Sequence, residues 1–157
     1  VTVRATKGHV NFYTLVWWQY PGVGLEALSV KPDGVSFYLD THFFQRYRER
    51  HAKIPGAVDN LKSYFWRNYD IHVKMLDSLH LGKPAIAGVV PDGLVLGTMR
   101  GSEVVSCDTF LSPDDLSEKN THLLNEVSTA VLVKHMGPQR RQALLRTMEE
   151  TLALLGE

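Results

Sequence analysis

Cysteine is almost absent from this 157-residue chain, where Cys107 stands alone. A lone thiol excludes an internal disulfide framework and a cysteine-rich zinc site. Long apolar runs are absent too. None approaches the roughly 18 apolar residues of a membrane span, so no membrane partner is expected. Near the start the longest, Phe12 to Trp18, is short and has no basic leader. No signal peptide is therefore expected, and the reducing cytosol is the default compartment. Charge of one sign is not in excess either, because 17 Lys and Arg balance 17 Asp and Glu. That balance excludes a bulk polybasic binder of nucleic acid or anionic lipid but leaves room for a local patch. There is no Gly-x-Gly-x-x-Gly or Walker loop to cradle a nucleotide phosphate. There is likewise no His-Glu-x-x-His, EF-hand or Gly-x-Ser-x-Gly pattern, so no metal and no cofactor is assigned.

What is present reads as one α+β domain over residues 1–157. The balance of 44% apolar and 22% charged residues is that of an ordinary soluble globule. A chain this long buries most of its apolar surface without a staple. Pro and Gly punctuate it at Tyr20-Pro21-Gly22, Lys31-Pro32-Asp33-Gly34, Pro55-Gly56, Pro91-Asp92-Gly93, Arg100-Gly101-Ser102 and Gly137-Pro138. Val10 to Trp18 is rich in aromatic and β-branched residues and predicts a strand. Ala27 to Val30 and Val35 to Leu39 flank a turn and predict a hairpin. In its second arm Val35, Phe37 and Leu39 alternate with polar or amphipathic residues, so one face is expected to be buried.

Asp40 or Thr41 can cap a helix over His42 to about Lys53, which Pro55-Gly56 would end. A second helix is predicted over Ala57 to Leu76, with Val58, Leu61, Phe65, Tyr69, His72 and Leu76 along one stripe. Ala85 to Val90, Leu94 to Met99 and Glu103 to Leu111 predict a three-strand meander. Ser112-Pro113-Asp114-Asp115 offers a cap, a first-position proline and first-turn acids. It predicts a helix to about His135, followed by a last helix over Gln139 to Leu155. The fold class is then α+β: an antiparallel sheet, two inserted helices and a C-terminal helical pair over 112–157, packed on the sheet or at a dimer interface.

Charge is uneven along this order. From Asp40 to Leu76 seven Lys or Arg face four acids, giving +3, whereas from Glu103 to Glu126 six acids face Lys119, giving −5. A neutral chain can thus present a basic and an acidic face. Within the basic segment His42, Arg46, Glu49 and Arg50 recur at i, i+4, i+7 and i+8, which lines one face of a helix. Imidazole, guanidinium and carboxylate together form a kit for cleaving an RNA phosphodiester. A base takes the 2′-hydroxyl proton, an acid protonates the leaving 5′-oxygen, and arginine stabilises the charge between. The plainer alternative is a solvated face with weak ion pairs.

A strand, then His42-x-x-x-Arg46-x-x-Glu49-Arg50 opening a helix, then a β-meander resembles the barnase–EndoU–colicin–RelE ribonuclease superfamily. The resemblance covers nine residues, with Ala85 to Leu111 as a looser second match. It implies metal-independent RNA cleavage with His42, Arg46, Glu49 and Arg50 as the catalytic set. His42 would be general acid or base, Arg46 and Arg50 would hold phosphate, and Glu49 would orient an arginine or share proton transfer. Arg48, Ser106 and Thr109 are the candidate substrate-binding residues. Strict alternation puts Ser106 and Thr109 on opposite faces of their strand, with Thr109 on the core side beside Val105, Cys107 and Leu111.

Elsewhere the signals are weaker. His72 falls on the apolar stripe of its predicted helix and reads as a core histidine. Trp17 and Trp18, adjacent in a strand, point to opposite faces, and an exposed tryptophan could stack a base. A second functional class therefore stands beside the first: a non-enzymatic module that binds RNA or a protein, with a homodimer formed through the C-terminal helices.

Overall fold

The computed structural model describes residues 2–6, 9–31, 34–68, 71–80 and 82–135. Along the chain run β1 (Thr2–Thr6), β2 (His9–Tyr20), β3 (Gly24–Val30) and β4 (Ser36–Leu39). There follow α1 (Thr41–Tyr47), a π-helical turn (Arg48–Ala52) and α2 (Ala57–Arg67). Strands β5 (His72–His80), β6 (Lys83–Val90), β7 (Gly93–Arg100) and β8 (Val104–Leu111) complete the sheet. A short 3-10 turn (Pro113–Asp115) leads to α3 (Glu118–His135). The predicted helix at 139–155, and with it the second member of the C-terminal pair, lies outside the described residues.

The fold is α+β. Strands β2 to β8 form one mixed sheet, and β1 pairs with the first half of β2, in the order β1-β2-β3-β4-β8-β7-β6-β5. Among the described residues every pairing is antiparallel except that of β4 with β8. The expectation of a wholly antiparallel sheet is corrected here. The excursion through α1, α2 and the hairpins returns β8 beside β4 in the same direction.

One sheet face carries α1 and α2. Phe37, Leu39, Val105, Cys107 and Phe110 meet Phe43, Phe44, Tyr47, Leu61 and Tyr64 there, all buried. The rings pack edge to face: Tyr64 lies 5.1 Å from Phe43 and 5.0 Å from Tyr47, at 84° and 85°. Such pairs add about 0.5–1.5 kcal/mol each beyond their buried area. The other face carries α3 over β5 and β6, with Ala87, Leu94 and Val127 buried among surrounding leucines.

Three further expectations are corrected. The second inserted helix ends at Arg67, not Leu76, and residues from His72 form an edge strand. Asn68 diverts the chain because its fully buried amide is claimed by Asp92. His72 is thus a strand residue, not part of a helical stripe, and Tyr69 lies outside the described residues. The helix predicted from Ser112 is broken: Leu116 is extended so that its side chain joins the second core, and the Ser117 hydroxyl accepts the Asn120 N–H at 3.4 Å to open α3. Finally, β8 does not alternate strictly. Leu96 pairs with Thr109 and Gly97 with Cys107, so Asp108 is an extra residue in a β-bulge. The bulge moves Thr109 off the core side held by Val105 and Cys107 and onto the α3 face.

Candidate nucleic-acid interface

The α1 segment starts where the Asp40 carboxylate accepts the Phe43 N–H at 2.8 Å, satisfying an orphan donor of the first turn. Its apolar residues Phe43, Phe44 and Tyr47 all point into the core. That fixes the helix rotation and leaves His42, Gln45, Arg46, Arg48 and Glu49 on the outside. Arg46 then links two neighbours: its Nε–H donates to His42 Nε2 at 3.4 Å, and its Nη1 lies 3.2 Å from Glu49. Gln45 donates to the other Glu49 oxygen at 2.8 Å. Hydrogen bonding from Gln45, then the Arg46 charge, holds the Glu49 carboxyl below its ordinary value. Glu49 is therefore a standing carboxylate that orients Arg46. The Arg46 contact is formed by neutral His42 with Nε2 as acceptor, because a protonated ring has no lone pair to offer.

Arg50 leaves the stripe. The π-helical turn closes with the Lys53 N–H on the Arg48 carbonyl at 2.9 Å, so the angular step per residue changes. Arg50 instead donates to the Phe110 carbonyl at 2.7 Å, at the end of β8. Lys53 ends the turn in the left-handed region, at φ 51°.

Arg48 lines a cleft of about 220 Å³ with Gly24, Leu25, Thr41, Gln45 and Asn60. Gly24 sits at φ +138°, and a Cβ there would come within 2.2 Å of Thr41 Cγ2, so glycine lets α1 approach β3 at this wall. Asn60 is buried and donates to the Phe44 carbonyl at 2.8 Å, while its Oδ1 finds no partner among the described residues. Trp17 stands on the same sheet face. It pairs with Ala27, two residues along β3 from Leu25, and is 45% exposed. Its neighbour Trp18 faces the other way, donates to Glu26 at 2.8 Å and stacks on Tyr38.

The structure therefore brings His42, Arg46 and Glu49 together and sets Arg48 beside them. Ser106 and Thr109 lie across the sheet from α1. Ser106 is fully buried and donates to Asp108 at 2.9 Å, and Thr109 lines a cleft under α3.

Sequence reasoning missed a buried carboxylate next to this face. Asp92, in the β6–β7 turn, is 3% exposed. It accepts from the Tyr47 hydroxyl at 2.8 Å, the Asn68 amide at 2.8 Å and Arg67 Nε at 2.7 Å, with His51 Nε2 at 3.4 Å. Its own N–H donates back to Asn68 at 3.1 Å. Burial pushes its carboxyl up, but the Asn68 and Tyr47 hydrogen bonds, with His51 and Arg67 alongside, bring it below the ordinary value. Burial and that carboxylate push the Tyr47 phenol far above its ordinary value. In sequence, Pro91-Asp92-Gly93 signals only a turn. Nothing in it announces that the turn is sunk under α1 and α2.

Among the described residues no three His, Cys, Asp or Glu side chains are grouped to hold a metal ion, and no helix is long and apolar enough to cross a membrane. Burial pushes the Cys107 thiol up and leaves it unreactive. Comparison of the chain with family models, curated proteins and solved structures finds no match in any of the three.

Proposed function

We propose that the protein is an RNA-interaction module that grips the phosphate backbone with the outer face of α1 and its π-helical turn. The observation that carries this reading is the Arg48-lined cleft with half-exposed Trp17 on the same sheet face. Arginine beside a concavity suits phosphate, and an exposed ring on the same sheet face suits an unstacked base. Arg46, two residues back, adds a second guanidinium on another side of α1, where Glu49 holds it.

A ribonuclease reading of the same face is favoured by the His42–Arg46–Glu49 contacts. A neutral imidazole there can accept a 2′-hydroxyl proton, and a guanidinium lies within reach of the phosphorane. In that reading the chain is a metal-independent relative of the superfamily its helix motif resembles.

Fluorescence anisotropy with a labelled single-stranded 12-mer RNA tests the binding reading. Arg48→Glu is expected to weaken binding at least tenfold, with fold confirmed by circular dichroism; unchanged affinity would overturn it. Running the same RNA on a gel after incubation in EDTA separates the second reading. Cleavage by the wild type and not by His42→Ala supports catalysis, whereas intact RNA in both lanes leaves a binding module.

A further inference from the structure

A second concavity, about 340 Å³, opens on the opposite face of the sheet, between β5–β8 and the first turns of α3. We infer that it binds a small amphipathic amine, with the ammonium seated on Asp108 and the apolar body between sheet and helix.

The β-bulge supplies the first argument. Asp108 is the inserted residue, and both it and Thr109 line the cleft. Bulges re-aim a side chain that regular alternation would send elsewhere. Gly97 keeps the strands close at this point, because a Cβ there would come within 2.0 Å of the Ser106 carbonyl.

The second argument is the state of the carboxylate. Ser106 Oγ donates to Oδ1 at 2.9 Å and Thr98 Oγ1 to Oδ2 at 3.3 Å, from positions 0% and 5% exposed. Two hydroxyls on the sheet thus fix the group. Each oxygen offers about two acceptor sites, so acceptor capacity is left over on the cleft side. Among the described residues no guanidinium or ammonium is paired with it, although Lys119 lines the same cleft from α3. A ligand cation would complete the set with charge-assisted hydrogen bonds, the stronger kind.

The walls supply the third. Leu76, Leu79, Leu96 and Leu123 line the cleft from both sides. Mostly apolar walls with a few convergent polar groups are the usual make-up of a small-molecule site. Of the charged side chains on the cleft wall, Asp108 lies on the sheet side and Lys119 on the α3 side.

Isothermal titration of the full chain with 2-phenylethylamine, 2-phenylethanol and 3-phenylpropionate at pH 7 tests the inference. The amine is expected to bind at least tenfold more tightly than the alcohol, and the carboxylate not to bind. Asp108→Asn should weaken the amine at least tenfold. Leu123→Trp, which fills the cleft from α3 without touching the bulge, should abolish binding. Glu126→Gln, which removes an acid of α3 outside the cleft, should leave it within twofold. Equal binding of amine and alcohol, no binding of the amine at millimolar concentration, or amine binding that survives Leu123→Trp would overturn the inference. If Asp108→Asn does not fold, the ligand ratio and Leu123→Trp still decide.

Discussion

Asp92 shows how much one buried side chain can hold. Its two oxygens collect Tyr47 from α1, Arg67 and Asn68 from the end of α2, and His51 from the π-helical turn. Truncation would leave the buried Tyr47 hydroxyl and Asn68 amide without an acceptor and take the ionic partner from Arg67 and His51, which keep access to water. Two buried polar groups left unsatisfied cost about 1–3 kcal/mol each. Asp92→Ala should lose that much in urea unfolding, and a loss under 1 kcal/mol would show that the network relaxes onto water. The pH dependence has a definite sign. The folded carboxyl titrates below its unfolded value, so its contribution is full above the ordinary carboxylate range and is lost as pH falls through the depressed folded value. The stability gap between wild type and Asp92→Asn, followed by urea titration from pH 7 down to pH 3, should narrow on acidification. A gap that widens instead would mean the carboxylate is not what the network binds.

At the scale of elements, legibility followed the periodicity. Phe37 and Leu39 alternate with exposable neighbours and are buried as the pattern predicts. Asp40 caps α1, as its residue type and place allow. The meander strands stand within two residues of their predicted limits. The failures have physical causes that local patterns do not carry. The stripe from Val58 to Leu76 looked continuous because residues of an edge strand fell by chance at helical spacing, while a tertiary contact between Asn68 and Asp92 ended the helix. A bulge is invisible to alternation, which sends Thr109 to the core side of Val105 and Cys107, whereas the extra residue Asp108 turns it to the α3 face. At the candidate site the spacing of His42, Arg46 and Glu49 was readable, but Arg50 was lost to the π-helical turn. That turn leaves a mark that can be tested. Lys53 holds φ 51°, where a Cβ costs roughly 1 kcal/mol that glycine avoids. Lys53→Gly should raise stability by about 0.5–1 kcal/mol, read as a higher urea midpoint with unchanged slope. A lower midpoint would mean that the lysine side chain contributes more than the backbone strain removes.

Across the whole molecule the sheet separates the core under α1 and α2 from the core under α3. The arginines of α1 and the π-helical turn belong to one face, and Asp108 with the acidic approach to α3 to the other. Binding of RNA through two or three phosphate contacts should weaken roughly 7- to 20-fold between 50 and 200 mM salt, following the single-strand slope of about −0.7 per contact. A salt-independent affinity would mean that arginine–phosphate contacts are not what holds the strand.

The most direct test of an RNA face on α1 is an NMR titration of the isotope-labelled chain with the single-stranded 12-mer. The expected result is backbone shifts concentrated in residues 41–52 and at the Trp17 indole, with the α3 side quiet. Shifts confined to residues 72–80 and 104–126, or none at millimolar RNA, would contradict it.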